Sequence, residues 1–427
     1  MQKLIIEGGH PASGRVTPAG SKNEALPTIA AALLTNEEVV LHNVPRIKDV
    51  EVMLEVARAQ GASVAWDAHA VRIVGANVTE PTLNPELCGR IRASILFAGP
   101  MVGRLGEVRL PPPGGDVIGR RRVDTHLLGF EALGASVRVA GEYRIVAPDG
   151  GLRGADFFFD EQSVTATENL VTAAVLAKGR TVLRNVAMEP HVQGLCRMLV
   201  AMGARIDGIG SPTLTIDGVD RLRGCEHTLG PDYLEIGSMV GLAAVTGGEL
   251  TLDGVRPDEL RMMRVVFDRL GVATELSGDT LFVPGRQDLR IKPDYLGHIP
   301  KIDDSPWPAF PTDLMSVAIT VATQSEGTCL FFEKMFEGRM FFVDNLISMG
   351  AQIILCDPHR VVVVGRSPLY AAKHESPDIR AGMALLLAAC CARGKSEIHN
   401  VGQIDRGYEA IDDRLRALGL SVERSDA

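Results

Sequence analysis

Six copies of one unit run along the 427-residue sequence. The string Leu-Gly-Ala, or a near variant of it, recurs at intervals of 73, 69, 68, 79 and 69 residues, and units of this size account for the whole chain. Such internal repetition indicates one supersecondary unit that is used repeatedly. The marker glycines of the six copies are Gly61, Gly134, Gly203, Gly271, Gly350 and Gly419.

Each marker glycine is predicted to end an amphipathic helix. The positions 11, 8, 4 and 1 before it are apolar, as Val192, Leu195, Leu199 and Met202 show in the third copy. That spacing defines one face of a helix, and a glycine just beyond it is the usual C-terminal cap. An alternating or β-branched run follows the glycine and predicts a strand.

An earlier helix, rich in Ala and Leu, precedes the capped one in each copy. Examples are residues 25–34, 169–177 and 381–392, which are apolar nearly all round. Such helices are expected to be buried inside a ring of sheets. Each unit therefore reads strand, helix, strand, helix, strand, and the sequence predicts an α/β (α+β) protein with strands of mixed direction.

Composition narrows the range of partners. The net charge of −9 and the pI of about 5.6 disfavour nucleic acid and acidic membranes. The longest apolar stretch, residues 381–392, is too short to span a bilayer, and Met1–Glu7 lacks a signal-peptide core. The seven cysteines contain no CxxC pair, which favours neither a zinc site nor disulfides. We expect a cytoplasmic protein without a metal.

Charged residues recur at equivalent positions of the repeats. Thirteen residues before the marker glycine, Lys48, Arg121 and Arg406 are predicted to occupy the first turn of the second helix, where anions bind readily. Any one of them is more simply a solvated surface charge, and the repeats could form a purely structural array, but the set indicates an anion site. The first helices open with Lys22, Arg92, Asp232, Asp313 and Arg380.

Two of these arginines have apolar neighbours, and a proline- and glycine-rich loop precedes a third. Arg92 and Arg380 enter predicted buried helices, so each is expected to need an anionic partner. Residues 111–124 contain three prolines and two glycines before Asp116, then three arginines. This loop is either a plain turn with solvated arginines or a segment, mobile at Gly114–Gly115, that delivers Asp116 to an anion site.

Six motifs together carry a family resemblance. Their number and length identify the chain as resembling the UDP-N-acetylglucosamine enolpyruvyl transferases over essentially its whole length. They are GSKNEALP (20–27), IRASI (91–95), GGDVIGRRRVD (114–124), FPTD (310–313), FEGR (336–339) and QIDRGYEAIDDRLRALG (403–419).

The resemblance implies a two-domain inside-out α/β barrel with three repeats per domain. The expected domains are residues 22–229, with a mobile loop at 111–121, and residues 1–21 plus 230–427. The family's active site lies in the cleft between the domains, and one ligand that contacts both domains is expected to close it. The resemblance also implies phosphoenolpyruvate and a UDP-sugar as substrates, no metal or organic cofactor, and a monomer or weak homo-oligomer.

Residue roles carry over by matching position. The resemblance implies that Asp313 is the general base at the acceptor hydroxyl and that Asp116, Lys22 and Arg406 join it in catalysis. Glu189 and Asp232 would lie near the hinge. Phosphoenolpyruvate would contact Lys22, Lys48, Arg92, Arg121, Arg380 and Arg406. The acceptor would contact Asn23, Arg92, Arg121, Val123, Asp124, Thr125, Ser163, Val164, Asp313 and Arg339.

The chain departs from the family pattern at several positions. Many members have Cys where this chain has Asp116; that Cys acts as an acid and is alkylated by fosfomycin, so fosfomycin resistance is expected here. Arg122, Glu161 and Thr165 replace residues where the family binds the uridine and diphosphate, and Tyr233 replaces an Arg.

These departures leave other functions open. Enolpyruvyl transfer to a different uridine nucleotide, as in nucleoside-antibiotic assembly, is the main alternative. SKN and FPTD disfavour the shikimate-pathway transferase, and the intact cationic set disfavours a non-catalytic ligand-binding paralogue. The acidic pI disfavours an RNA-end-processing enzyme of related repeat fold.

Overall fold

The computed structural model describes residues 2–115 and 118–426, and Asp116 therefore lies outside the described residues. The chain forms two compact units. The C-terminal unit comprises the described residues of 1–19, 118–120 and 231–427, and the N-terminal unit comprises those of 20–115 and 121–230. Each unit has its own hydrophobic core.

The elements are given in chain order. The strands are β1 Gln2–Glu7, β2 Gly14–Val16, β3 Glu38–His42, β4 Ser63–Asp67, β5 Ala70–Val74, β6 Glu107–Leu110, β7 Ser136–Val139, β8 Tyr143–Val146, β9 Asp156–Phe158, β10 Arg180–Arg184, β11 Arg205–Asp207, β12 Thr213–Asp217, β13 Cys225–Thr228, β14 Leu250–Asp253, β15 Glu275–Ser277, β16 Thr280–Val283, β17 Lys301–Asp303, β18 Gly327–Phe332, β19 Gln352–Asp357, β20 Arg360–Gly365, β21 Lys373–Glu375, β22 Lys395–His399 and β23 Ser421–Asp426. The α-helices are α1 Lys22–Ala31, α2 Lys48–Ala59, α3 Pro85–Arg90, α4 Ala98–Leu105, α5 Asp124–Ala132, α6 Val164–Ala174, α7 Pro190–Ala201, α8 Tyr233–Thr246, α9 Arg261–Arg269, α10 Met315–Gln324, α11 Val343–Ser348, α12 Ile379–Cys391 and α13 Ile411–Ala417. Short 3-10 turns lie at Ala32–Leu34, Arg92–Phe97, Pro257–Leu260, Tyr295–Gly297, Thr312–Leu314 and Val401–Arg406.

Three small sheets surround the core of each unit. In the N-terminal unit their strand orders are β13-β3-β5-β4, β6-β8-β7 and β11-β12-β10-β9. In the C-terminal unit they are β21-β22-β1-β23, β15-β16-β14-β2 and β17-β18-β20-β19. The four-stranded sheets combine one parallel pair with antiparallel pairs, as the repeat predicts. In the three-stranded sheet an isolated parallel bridge from Thr82 to Arg109 replaces the fourth strand.

The Ala- and Leu-rich helices lie inside these rings, as expected. In α12, twelve residues from Ile379 to Cys390 are buried, including Arg380. α8 is buried over the same length, from Tyr233 to Ala244. A helix that is buried on every side needs apolar residues all round, which explains why these segments lack a polar face. Their amino-terminal turns are where the charged residues stand.

The marker glycines end the outer helices. All six have positive φ, from 87° at Gly271 to 107° at Gly350, a backbone conformation that glycine adopts without steric cost. The apolar faces before them are buried, as in Leu195, Leu199 and Met202, each 0% exposed. The predicted repeat and its helix caps are therefore confirmed.

Three cations were predicted to occupy the first turn of the second helix of their repeat, and the prediction is right for one of them. Lys48 begins α2, but Arg121 lies three residues before α5, and Arg406 ends the 3-10 turn Val401–Arg406. The capped helix of the sixth repeat, α13, starts late because Ala410, at φ 42° and ψ 47°, is left-handed and interrupts the helical run. Within the described residues, no helix is both long and apolar enough to cross a membrane.

Candidate active site

Two helix starts adjoin in the N-terminal unit. Lys22 begins α1 after the N-cap Ser21, and its Nζ lies 2.6 Å from Oδ2 of Asp49, the second residue of α2. Both side chains are less than a tenth exposed. The structure thus joins Lys22 to the turn that carries Lys48. Sequence reasoning missed Asp49, although it directly follows Lys48.

Arg92 and Arg121 also lie together. Nη2 of Arg92 donates to the backbone carbonyl of Arg121 at 2.6 Å and to that of Arg122 at 3.4 Å. Partial burial lowers the pKa of Arg92. Backbone carbonyls take these hydrogen bonds of Arg92, and the anionic partner expected for it stays a prediction. Through these bonds Arg92 fixes the backbone that follows the proline- and glycine-rich loop.

The two glycines of that loop serve close packing. Gly114 N donates to the carbonyl of Cys88 at 3.1 Å. A Cβ added at Gly115, whose φ is 102°, would lie 2.8 Å from Cβ of Arg92. Only glycine fits such an approach and such a φ. Asp116, predicted as an acid, follows directly but lies outside the described residues.

The residues expected to hold the acceptor nucleotide form an ion-paired cluster. Nε of Arg122 donates to Oδ2 of Asp124 at 2.7 Å, and Nη2 reaches Asp160 at 3.4 Å. Thr125 donates to the other oxygen of Asp160 at 2.9 Å. Val123 stands just before α5. Arg122, one of the departures from the family pattern, thus contacts a residue expected to bind the acceptor.

A buried histidine fixes the neighbouring helix start. Asn169 accepts from Gly99 N at 2.8 Å through Oδ1, so its Nδ2 donates both to the carbonyl of Ile95 and, at 2.9 Å, to Nδ1 of His126. The proton of the neutral imidazole is therefore on Nε2, which donates to the hydroxyl of Thr165 at 3.1 Å. Burial, and then the charge of Arg92, lower the pKa of His126 to about 3.

Ser163 and Val164 stand at the start of the same helix. The Ser163 hydroxyl caps α6 by accepting from Ala166 N at 3.3 Å, and Val164 is the first helical residue. Two carboxyls lie deeper. Glu168 is 2% exposed, and burial followed by repulsion from Glu189 raises its pKa well above the usual range. Glu189, expected near the hinge, is the N-cap residue of α7.

In the C-terminal unit, Asp313 lies between two buried arginines. Oδ1 accepts from Nη2 of Arg339 at 2.8 Å, and Oδ2 accepts from Nε of Arg380 at 3.0 Å. The arginine side chains are 6% exposed and that of Asp313 is 26% exposed. The structure therefore brings three predicted residues together, and it confirms the anionic partner expected for Arg380.

Arg380 is held from its other side by a tyrosine. Its Nη1 donates to the hydroxyl of Tyr408 at 3.3 Å, and that hydroxyl lies 2.8 Å from the hydroxyl of Ser238. Burial opposes the charge on Arg380, but Asp313, Tyr408 and Asp232 outweigh it and raise the pKa of Arg380 above its usual range. Tyr408 lies 11 residues before Gly419, so the repeat pattern predicted it only as part of the apolar face of a helix.

The remaining predicted residues of this unit stand at element ends. Arg406 donates through Nη1 to Oε1 of Gln403 at 2.9 Å. Asp232 caps α8 by accepting from the backbone N–H of Leu234 at 2.9 Å. Within the same unit, Gly338 N donates to the carbonyl of Ile118 at 3.0 Å, so the segment after Asp116 packs beside Arg339.

Each unit thus carries cations at helix starts, beside polar groups that hold them in place. Preorganised cations of this kind stabilise phosphate and carboxylate charge that develops during a reaction. The carboxylate of Asp313 can still accept a proton, since two guanidinium hydrogen bonds leave other lone-pair sites available. Such groups suit acid–base chemistry on an anionic substrate.

Comparison with solved structures identifies the fold. The crystal structure of the enolpyruvyl transferase NikO from Streptomyces tendae aligns with a TM-score of 0.88 at 24% identity, covering 100% of this chain and 99% of that one. EPSP synthase from Acinetobacter baumannii aligns over both whole chains with a TM-score of 0.74 at 18% identity. These likenesses establish an enolpyruvyl transferase fold. The family model of EPSP synthase (3-phosphoshikimate 1-carboxyvinyltransferase) matches residues 6–415.

Curated relatives narrow the class further. A UDP-N-acetylglucosamine 1-carboxyvinyltransferase of Bradyrhizobium diazoefficiens is 56% identical over 99% of this chain and 98% of its own length. The protein of the same name from Treponema denticola is 53% identical over 99% of both chains. The chain belongs to the UDP-N-acetylglucosamine 1-carboxyvinyltransferase family, which confirms the resemblance drawn from the motifs.

Proposed function

We propose that the chain transfers the enolpyruvyl group of phosphoenolpyruvate to the 3'-hydroxyl of UDP-N-acetylglucosamine with release of phosphate, the first committed step of peptidoglycan synthesis. The observation that carries this function is the 56% identity to the Bradyrhizobium diazoefficiens protein over nearly the full length of both chains. A cationic set and a carboxylate held by two arginines support it, because this chemistry requires both.

The proposed phosphoenolpyruvate contacts are lysines and arginines. Lys22, Arg121 and Arg406 would bind the phosphate. Arg380 and Arg406 would bind the carboxylate, with Lys48 and Arg92 nearby. A fork of guanidinium donors matches a carboxylate in two places, which favours arginine at these positions. The fixed positions of Lys22 and Arg380, each held by a carboxylate, support this assignment.

The proposed acceptor contacts surround Asp313. This carboxylate would remove the proton of the 3'-hydroxyl as its oxygen bonds to the central carbon of phosphoenolpyruvate. Asp116 would deliver a proton to the methylene carbon, and loss of that proton and of phosphate would then restore the double bond. The remaining acceptor contacts would come from Asn23, Arg92, Arg121, Val123, Asp124, Thr125, Ser163, Val164 and Arg339.

Phosphate release tests the proposal. The purified chain is incubated with phosphoenolpyruvate and a panel of uridine nucleotides, and phosphate is measured over time. We expect release with UDP-N-acetylglucosamine, a loss of at least a hundredfold in Lys22→Gln, and no change in Lys178→Gln, which makes the same substitution at an exposed lysine. An absence of phosphate release with every nucleotide of the panel would contradict the proposal.

A second acceptor class follows from one contact. Arg122 lies 2.7 Å from Asp124, and it adds a cation beside residues assigned to the acceptor. Transfer to a different uridine nucleotide would use the same phosphoenolpyruvate chemistry. Faster phosphate release with another uridine nucleotide than with UDP-N-acetylglucosamine would favour this second function.

We also propose a cytoplasmic enzyme that acts as a monomer or weak homo-oligomer. The net charge of −9 supports the absence of nucleic acid and acidic membrane surfaces among its partners. The seven cysteines, which contain no CxxC pair and suggest no disulfide framework, support a reducing compartment. Sedimentation of the purified chain tests the oligomeric state.

A further inference from the structure

Two carboxyl groups lie side by side in the core of the C-terminal unit, outside the residues assigned above. β17 and β18 are parallel, with Asp303 opposite Phe332, so the next residue of each strand, Asp304 and Glu333, is brought alongside the other. Both residues are 0% exposed. Buried acidic residues ordinarily pair with a cation, so their environment requires an explanation.

The hydrogen-bond donors to this pair are backbone amides and one hydroxyl. Asp304 Oδ1 accepts from Lys334 N at 2.6 Å, and Glu333 Oε1 accepts from Met335 N and Phe336 N at 3.0 Å each. Thr312 Oγ1 donates to Glu333 at 2.9 Å. Oδ2 of Asp304 is buried and receives no hydrogen bond from an amide, a hydroxyl or a cation of the described residues, which leaves it to the neighbouring carboxyl. Neither carboxyl forms a salt bridge within that part of the chain.

One proton shared between the two carboxyls accounts for this arrangement. Two adjacent buried carboxylates repel each other, so the pair retains a proton to a higher pH than either group alone. Burial, followed by the hydrogen bond with Asp304 and its repulsion, raises the pKa of Glu333 to about 8, while Arg339 and Thr312 act in the opposite direction. Glu333 therefore keeps its proton at neutral pH.

Hydrogen bonds to the Glu333 carboxylate fix the chain next to both Asp313 and Arg339. Thr312, bonded to the Glu333 carboxylate, directly precedes Asp313 in the chain. Met335 and Phe336, whose amides are bonded to the same carboxylate, begin the turn that carries Arg339. Arg339 then donates to Asp313 at 2.8 Å. One carboxyl group thus fixes the backbone before each member of the contact.

We propose that Asp304 and Glu333 form a proton-sharing pair that positions Asp313 and Arg339 for enolpyruvyl transfer, and that loss of the shared proton releases both. The positioning role rests on the function proposed above, whereas the proton-sharing role does not. Neither residue touches a substrate in this scheme. Both are positioning residues that act through Asp313 and Arg339.

Other charged groups around the pair are accounted for. Arg339 faces Glu333 and favours its ionised form. Nδ1 of His359 donates to the backbone carbonyl of Glu333 at 2.8 Å, so that ring nitrogen carries a proton. Lys334 and Lys301 both pair with Asp303, which lies next to Asp304 in the chain. These ion pairs are partly exposed, and they engage both lysines with Asp303 instead of with the buried carboxyls of Asp304 and Glu333.

The direction of the pH effect follows from the raised pKa. The folded chain holds the shared proton up to about pH 8, whereas an unfolded glutamate loses its proton near its ordinary value of 4.5. The stabilisation from the pair is therefore complete below pH 4.5 and is lost as the pH rises through 8. Above pH 8 the folded chain carries two repelling charges beneath Thr312 and the 334–339 turn.

Trp307 provides a reporter of this change. It lies three residues after Asp304 and packs against Tyr233, with ring centroids 5.7 Å apart. The only other tryptophan is Trp66, in the N-terminal unit, so Trp66→Phe leaves Trp307 as the single tryptophan, which can be excited selectively over the tyrosines. The matched variants are Asp304→Asn, which keeps the acceptor for Lys334 N and ends the carboxyl–carboxyl repulsion, and Asp303→Asn, which makes the same change one residue earlier.

The test compares pH profiles from 6.5 to 9.5 in the Trp66→Phe background. We expect Trp307 fluorescence to titrate near pH 8 and kcat to fall about tenfold above it, with KM for phosphoenolpyruvate changing less than twofold. Asp304→Asn should remove the fluorescence transition and extend the kcat plateau, whereas Asp303→Asn should leave both unchanged. Glu333→Gln, which carries a permanent donor in place of the proton, should also lack the transition.

Two results would contradict the proposal that Asp304 and Glu333 form a proton-sharing, positioning pair. A fluorescence transition near pH 8 that persists in Asp304→Asn would show that the titrating group does not depend on a second carboxyl. Equal loss of kcat at every pH in Asp304→Asn, with the wild-type midpoint retained, would indicate a merely structural role. The fluorescence titration needs no substrate, so it decides the proton-sharing role even if phosphate release fails and the proposed function falls.

Discussion

Arg380 and Asp313 form a hydrogen-bonded ion pair at 3.0 Å, with the arginine side chain 6% exposed. A guanidinium this deeply buried is costly unless its charge is compensated. Tyr408 takes a second donor of Arg380, and Arg339 binds the other oxygen of Asp313. The contact therefore fixes a proposed substrate-binding arginine and the proposed base at once, so a change to either should affect stability and turnover together.

The substitution Asp313→Asn should reduce both stability and turnover. The amide removes the proposed base and leaves two buried arginines without their carboxylate, so we expect turnover to fall at least a hundredfold. The C-terminal unit should lose about 2 kcal/mol of stability, below the full cost for a wholly buried pair because Asp313 is partly exposed. Phosphate release and thermal unfolding measure the two effects. Asp344→Asn, at an exposed position on α11, is the control, and an active Asp313→Asn protein would remove Asp313 as the base.

The repeat made the architecture predictable from sequence. A glycine that caps a helix and an apolar face before it are local signals, and they placed residues such as Leu199 and Gly203 correctly. The starts of the fifth and thirteenth helices were not predictable in this way. They depend on single backbone conformations, as at Ala410, that side-chain pattern does not encode.

The site was predictable only where a residue type demanded a partner. The apolar surroundings of Arg380 required an anion, and Asp313 supplies it. For Arg92 the same argument stays a prediction, since its described hydrogen bonds go to backbone carbonyls. Asp304 and Glu333 could not be paired from sequence, because their contact arises from the register of two strands that are distant in the chain.

Arg406→Lys should retain the fold and lose most activity. The planar guanidinium presents a fork of donors to a carboxylate or phosphate, and an ammonium cannot reproduce that geometry. We expect a loss of about 2–4 kcal/mol of transition-state stabilisation, in the range of one preorganised charge contact. Steady-state kinetics and circular dichroism measure the two properties. The matched control is Arg393→Lys, at an exposed position. Near-wild-type turnover by folded Arg406→Lys would contradict the assignment of Arg406 to phosphoenolpyruvate binding.

His126 should remain neutral far below the ordinary pH range of histidine. Its folded pKa of about 3 is depressed, so its neutral form stabilises the fold above the unfolded value near 6.5, and this contribution is lost as the pH falls toward 3. The loss amounts to about 1.4 kcal/mol per pH unit. In an NMR titration from pH 8 to 5, the ring signals assigned through His126→Gln should stay at the neutral positions. Protonation near pH 6 would show that the His126–Asn169 contact does not persist in solution.

Asp116 decides the response to fosfomycin, although it lies outside the described residues. A carboxylate is a much weaker nucleophile toward an epoxide than a thiolate, so the unmodified chain should resist alkylation. Mass spectrometry after incubation with fosfomycin and UDP-N-acetylglucosamine should show no adduct on the natural chain and one adduct on Asp116→Cys. The seven natural cysteines, including the exposed Cys356, make the unmodified chain its own control for non-specific alkylation.

The same residue should be essential as an acid. Asp116→Asn keeps the size of the side chain but cannot deliver a proton to the methylene carbon, so turnover should fall about a hundredfold or more. Acceptor binding, measured by calorimetry, should be largely unchanged, because Asn23 and Asp313 are assigned to that contact. Asp149→Asn, at an exposed position of the N-terminal unit, is the matched control. An active Asp116→Asn protein, or a covalent fosfomycin adduct on the natural chain, would remove Asp116 from the mechanism and leave catalysis to Asp313 and the cations.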